Sequence, residues 1–424
     1  MPCVSNVAAA LGGLEAGEFD AQLLKAAWKD ARATMGRAAE ALCAGLGRGG
    51  GVRTRSVWVA GLLGWIGVRY RYAPGEVTGR EVKALLCGEE QRGAGLPKAT
   101  RAARSLVAKA GATMGSFREA AAFLEEACRI DVSRETARAI TLEAGRRTRE
   151  SEAPGGAARP GARPPAGARR VADTLAVAPD GTCFPTRRED TAGRRGRDGG
   201  QAKGRNANVV CAGRYSHVGR DGRPVFQGGL RYHATGSGGV AFGEETWRFA
   251  EREGAAEARR VVFLSDGEAE LEGIFQEHFA ALPNVVRVLD AMHACQYVDA
   301  LAKALEPDAE KAAKASRSLR KRLVNAGWDG FLASFRRRFG GDAHLRLGGD
   351  PEKAWNYLWQ RRGQMDYARW RRRGIPIGSG MAEAACKLIV GARLKGPGMH
   401  WRFDNGIRVA AIRAALRSNR PLVA

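Results

Sequence analysis

Three acidic residues stand out by where they fall in the chain: Asp180 in LAVAPDGTCF, Asp266 in RRVVFLSDGEAEL and Glu383 in PIGSGMAEAACK. The first two follow apolar runs and each precedes a glycine. The third stands in the first turn of an alanine-rich helix, behind a tight glycine and serine loop in which Ser379 or Gly380 is the expected cap. Carboxylates brought together either repel one another or share a cation. An all-oxygen set selects Mg²⁺ or Mn²⁺ over zinc. Two such ions about 4 Å apart suit hydrolysis or transfer at a phosphodiester, one ion at the attacking oxygen and one at the leaving oxygen. Taken singly, an Asp-Gly pair is more often a turn, and Glu383 complements a helix dipole. Their combination, and the elements that position them, give them weight.

Those elements follow in a definite order. LAVAPDGTCF reads as a strand, and NANVVCAGRYSHV and PVFQGGLRYHA read as two more, joined by GRDGR, whose Asp221-Gly222 is a hairpin signal. Next come a helix in FGEETWRFAEREGA, a buried strand ending at Asp266, a helix in GEAELEGIFQEHFAAL, a strand NVVRVLD ending at Asp290, and a helix in AMHACQYVDALAKALE. Three strands in a meander, then helix, strand, helix, strand, helix, is the element order of a ribonuclease H-like α/β fold. In such a sheet the first and fourth strands are neighbours, so Asp180 and Asp266 are expected near one another, with Glu383 supplied by a later helix.

Between Asp290 and Glu383 lie roughly 90 residues, far more than the basic fold needs. The stretch is basic, helical in period and dotted with Trp328, Trp355, Trp359 and Trp370, and it predicts a helical insertion over about 307–372. Most of these tryptophans fit a helical core, and one could stack on an unpaired base. Arginine and lysine there suit phosphate contacts.

Upstream, residues 151–170 (SEAPGGAARPGARPPAGARR) lose apolar periodicity and predict a flexible linker between a mainly helical region, 1–150, and a catalytic region, 171–424. A helix is expected within 21–46. Within 116–150, a helix from about Arg118 to Cys128, a short break, and a second helix capped by Ser133 and carrying Arg134, Arg138, Arg146, Arg147 and Arg149 trace the outline of a helix-turn-helix, or of a plain helical hairpin.

The formal charge of +24, from 69 basic and 45 acidic residues, points to a polyanionic partner, although a GC-rich coding bias would also enrich arginine. Two further basic stretches favour DNA. One is the loop after Asp180, with Arg194, Arg195, Arg197, Lys203 and Arg205; the other is ARLKGPGMHWR, with Arg393, Lys395 and Arg402. The longest apolar run, VWVAGLLGWIGV at 57–68, is too short and glycine-rich to span a bilayer, and no signal peptide is expected from the N-terminal residues. Eight scattered cysteines without CxxC spacing fit a reducing cytosol rather than a disulfide framework or zinc ribbon.

The C-terminal stretch, with GSGMAEAACK and RLKGPGMHW, resembles the end of bacterial insertion-sequence transposases of the ISKra4 type, within the DDE group that also includes Mutator-like enzymes. VAPDGTCFPT, VVFLSDGEAEL and VLDAMHACQYV are similar to that family's aspartate-bearing segments, and the likeness covers most of 116–418. The resemblance implies a triad of Asp180, Asp266 and Glu383 holding two Mg²⁺ or Mn²⁺ ions. It also implies recognition of terminal inverted repeats by the N-terminal helices, transfer into target DNA, a homo-oligomer, and a place with the nucleoid in the bacterial cytoplasm. Asp290 and His293 form a D-x-x-H pair that Mutator-like relatives also carry, with an accessory role or, for Asp290, a reserve place among the metal ligands. Relatives have a cysteine-containing segment upstream of the helix-turn-helix; here it keeps only Cys87. A DNA-binding repressor descended from a transposase and a structure-specific nuclease of the same fold remain the alternatives.

Overall fold

The structure, a computed structural model, describes residues 29, 31, 33–41, 53–61, 64–72, 99–128, 130–151, 168–196 and 199–422. The chain divides into two units, residues 1–151 with 422–424, and residues 152–421. The division falls at the start of the proline- and glycine-rich stretch, most of which, like Cys87 and Arg197, lies outside the described residues.

In the first unit, β1 (Arg53–Gly61) and β2 (Gly64–Tyr72) pair antiparallel, with Val57 opposite Val68 and Gly61 opposite Gly64. This hairpin is an addition to the helical region expected there. Valine and tryptophan occur in both segments and tyrosine in the second, and such residues favour a pleated surface. Of the expected helix within 21–46, residues 29, 31 and 33–41 are described and helical. Three helices follow: α1 (Arg101–Thr113), α2 (Phe117–Cys128) and α3 (Arg134–Glu150). The Ser133 hydroxyl caps α3 by accepting from the Thr136 N–H at 3.1 Å. Val107, Leu124, Ile130, Ala137 and Ile140 close a shared core. Gly111 lets α1 approach α3, since a Cβ there would stand 2.1 Å from the Thr141 hydroxyl.

In the second unit a six-stranded sheet runs in the order β5-β4-β3-β7-β8, with β6 also on β4. Its strands are β3 (Arg169–Pro185), β4 (Gly204–Val218), β5 (Pro224–Phe226), β6 (Arg231–Thr235), β7 (Arg260–Ser265) and β8 (Val285–Leu289). β4 lies antiparallel to β3, whereas β7 and β8 are parallel to it. The single strand expected over PVFQGGLRYHA is two, because Gly228 and Gly229 both take positive φ and break it. Nor does β3 stop at Asp180: it continues to Pro185, with Asp180 opposite Val209 of β4. The Asp-Gly pair here is extended strand rather than a turn.

Both faces of the sheet are covered, which is why the LAVA run of β3 is continuously apolar. Ala176, Ala178, Val262, Leu264 and Val288 face one layer, formed by α6 (Ala291–Leu305), α7 (Ala309–Phe339), α8 (Gly349–Gln360) and α9 (Tyr367–Arg372). Leu175, Val177, Val261 and Phe263 face the other, formed by α4 (Gly239–Arg252) and α5 (Ala269–Ile274). Each fully buried large side chain contributes about 1.5–3 kcal/mol. The insertion is helical as expected, and α7 kinks at Gly327, whose φ is 70°. Trp328, Trp355 and Trp370 are buried there, while Trp359 stays 40% exposed, stacked on Trp355 with the Arg362 guanidinium over its ring. The chain ends in α10 (Gly380–Ala385), continued by a π turn, and α11 (Phe403–Arg417). Among the described residues no helix is long and apolar enough to cross a membrane.

Candidate active site

Strand register decides where the carboxylates emerge. Thr174 of β3 pairs with Arg260 of β7, an offset of 86, so Asp180 is level with Asp266. Val261 of β7 pairs with Val285 of β8, an offset of 24, so Asp266 is level with Asp290. Three aspartates therefore stand abreast where the parallel strands end. Glu383 arrives from α10, which packs on β3 and β4.

Asp180 is partly buried. One carboxylate oxygen accepts from the Gly181 N–H at 2.7 Å and the other from the Cys386 thiol at 3.5 Å. Burial raises its pKa above the ordinary value; these two hydrogen bonds oppose the rise, and the negative charges of Asp266 and Glu383 add to it. Asp180, Asp266 and Glu383 thus act on one another electrostatically.

Asp266 follows directly on β7, and its side chain accepts from the Glu268 N–H at 2.9 Å. The turn behind it is clamped from α8. The Tyr357 hydroxyl donates to the Asp266 carbonyl, and the Arg361 guanidinium donates to the Gly267 carbonyl at 2.8 Å. Gly267 is at φ 80°, where a Cβ would meet the Tyr357 hydroxyl at 2.5 Å, so only glycine fits.

Asp290 is 2% exposed, and both of its oxygens are engaged. One accepts from the His293 N–H at 2.7 Å, which caps α6; the other accepts from the Ser379 N–H at 2.5 Å and the Ser379 hydroxyl at 2.9 Å. The Ala291 N–H also donates to the Ile377 carbonyl at 2.9 Å. The loop that leads into Glu383 is therefore pinned to the end of β8. Both Asp290 oxygens are thus occupied by protein donors, and Ser379 takes the N-cap position of α10, as expected, with its hydroxyl turned to Asp290 rather than to a helix N–H. From the D-x-x-H pair, His293 joins this network through its backbone N–H.

Glu383 is exposed and pairs with Lys387 at 3.5 Å, one turn on. The helix then widens into the π turn at Cys386–Gly391, where the Arg413 guanidinium bonds the Leu388 and Ile389 carbonyls at 3.1 and 3.0 Å. Interruptions of this kind recur at functional sites. Here the turn carries Cys386 against Asp180.

The expected DNA-contacting residues separate into groups. Lys395 reaches the strand beyond Asp180, where its ammonium donates to the Thr182 hydroxyl at 2.6 Å. Arg194, Arg195, Lys203 and Arg402 are exposed. Arg205 is half-buried, with its guanidinium 3.5 Å from the centre of the Phe403 ring. Arg393 is 2% exposed and lies over Trp401, so it packs the interior rather than presenting a surface. On α3, Arg134 pairs with Glu135, and Arg146 and Arg147 pair with Glu143, leaving Arg138 exposed.

Tyr357, Arg361 and Cys386 were not legible as site residues. Their partners lie far away in sequence, and nothing in their own segments marks them. Among the described residues no three His, Cys, Asp or Glu side chains are gathered closely enough to hold a metal ion as they stand. Compared with known proteins, the chain matches no family model and no curated protein.

Proposed function

We propose that this chain is a DDE transposase, a metal-dependent enzyme that cuts DNA at element ends and joins the freed 3′ hydroxyl to a target strand. The observation that carries this reading is the level placement of Asp180 and Asp266 on neighbouring parallel strands, with Glu383 near enough to raise the Asp180 carboxyl. The strand order, with β4 antiparallel and β7 and β8 parallel to β3, is the order expected of a ribonuclease H-like core and supports it.

The donor set is all oxygen, and Asp180 is held in a state that a neighbouring cation would relieve. Two Mg²⁺ or Mn²⁺ ions held by Asp180, Asp266 and Glu383 would supply Lewis acidity at the attacking and leaving oxygens. The Glu383–Lys387 contact is a surface pair of about 0–1 kcal/mol, for which a cation competes readily. The protein's own part is positioning. Asp290 fixes the loop before Glu383, and Tyr357 with Arg361 fixes the turn at Asp266. Lys395 and the exposed Arg194, Arg195, Lys203 and Arg402 suit phosphates near the site, and Arg138 with the helix-turn-helix outline suits the terminal repeats. A homo-oligomer that pairs both ends, in the bacterial cytoplasm with the nucleoid, belongs to the same reading.

The test is strand cleavage and joining on labelled DNA bearing the element's own ends, with Mg²⁺, for wild type and Glu383→Ala. Cleavage with joining that the substitution removes, while DNA binding persists, is the expected result. Cleavage without joining would identify a nuclease, and binding with no cleavage by the wild type would identify a repressor.

A further inference from the structure

A cleft of about 970 Å³ opens beside Glu383. One wall is the turn between β4 and β5, with Arg220 and Arg223; the other is the end of α9, with Arg371 and Arg372. All four arginines are exposed. The walls are tied together at the base, where the Tyr215 hydroxyl donates to the Gly374 carbonyl at 3.0 Å and Phe226 packs edge-on against Tyr215. Between them the floor is apolar, made by Phe226, Ile375, Pro376, Ile377 and Met292, and Met292 is 61% exposed.

Arginine on both rims and an apolar floor ask for a ligand with anions along its edges and flat apolar faces inward. The acidic residues on the lining do not cancel this. Asp221 lies 3.5 Å from Arg223, Asp290 is fully hydrogen-bonded, and Glu383 stands in the candidate active site. A duplex presents phosphates but stacks its base faces away, whereas an unpaired strand presents both. We propose that this cleft binds single-stranded DNA next to the scissile phosphate, with phosphates on the four arginines and unstacked bases on the Ile377 and Met292 floor. The proposal rests on the transposase reading for its position beside Glu383, but strand binding is measurable without cleavage.

Fluorescence anisotropy on the full chain, without divalent metal, tests it. The probes are a short labelled oligothymidylate and a short duplex, and the variants are Arg223→Glu/Arg372→Glu across the cleft and Arg248→Glu on α4 as a charge control. The cleft variant should weaken oligothymidylate binding about tenfold or more and flatten the dependence of log K on log salt by about 1.4, two lost single-strand phosphate contacts. Duplex binding should change little, and the control should match wild type. A second variant, Met292→Ser, should weaken oligothymidylate binding with the salt slope unchanged. Equal loss for both probes would overturn the proposal in favour of a duplex track. Unchanged binding would overturn it too, and if light scattering then showed the cleft variant losing self-association, the face would be an interface between copies. Either result leaves Glu383-dependent cleavage standing, whereas oligothymidylate binding weakened by the cleft variant, with no cleavage by the wild type, would uphold the cleft and overturn the transposase reading.

Discussion

Asp180 and Asp290 stand level in one sheet, yet their surroundings have opposite characters. Asp290 is sealed from solvent, and both its oxygens accept from two backbone N–H groups and a hydroxyl. Asp180 receives one backbone N–H and a distant thiol, and its carboxyl is raised by burial with two like charges beside it. A satisfied carboxylate holds structure together; an under-satisfied one just beyond the parallel pairing is available for chemistry, at a cost in stability. The difference fits the ranking read from the sequence, with Asp180 in the proposed triad and Asp290 as accessory.

Removing each charge in turn separates the two residues most clearly. Asp180→Asn should abolish cleavage and yet raise the melting temperature at neutral pH by about 2–4 °C. Because the folded carboxyl is raised, its cost is absent below its ordinary value of 3.8 and grows as pH rises toward the folded value, so the gain should vanish in acid. Asp290→Ala should do the reverse to stability. It orphans two N–H groups and a hydroxyl, and should cost about 3 kcal/mol in urea unfolding, with cleavage reduced about 10–100-fold.

Tyr357→Phe sharpens the contrast from the other wall. Losing one hydrogen bond to the Asp266 carbonyl should cost about 1 kcal/mol in stability, with a further fall in cleavage rate at unchanged DNA affinity. The smallest effect belongs to the N-terminal unit. Hydrogen bonds from Arg146 hold the Glu143 carboxyl down to about 2, so its stabilising contribution is complete above about 4.5 and is lost as pH falls toward about 2. Glu143→Gln should flatten that acid limb of the melting curve while leaving cleavage at neutral pH unaltered.

Much of the second unit was legible because its strands announce themselves. Apolar runs followed by Asp-Gly drew attention to Asp180 and Asp266, which the strand register sets level, and the glycine loop ahead of an alanine-rich helix drew attention to Glu383. What local pattern cannot carry is a partner distant in sequence. The Asp290–Ser379 and Tyr357–Asp266 bonds join elements about 90 residues apart, so the D-x-x-H pair was visible while its role was not. Basic residues misled for a related reason: Arg393 reads as surface charge in ARLKGPG, but it is buried over the Trp401 ring and beside the Met399 sulfur. The hairpin of β1 and β2 escaped because glycines and an apolar run masked its alternation.

On the proposed reading, Asp180, Asp266 and Glu383 form one divalent-cation site to which Asp290 does not belong. Titration of the protein with Mn²⁺, following free ion by electron paramagnetic resonance in the presence of end DNA, addresses it most directly. Uptake that is lost in Asp180→Asn and in Glu383→Gln, but retained in Ser379→Ala, which loosens the Asp290 pin without removing a carboxylate, is the expected result. Uptake unchanged by either carboxylate substitution would contradict it.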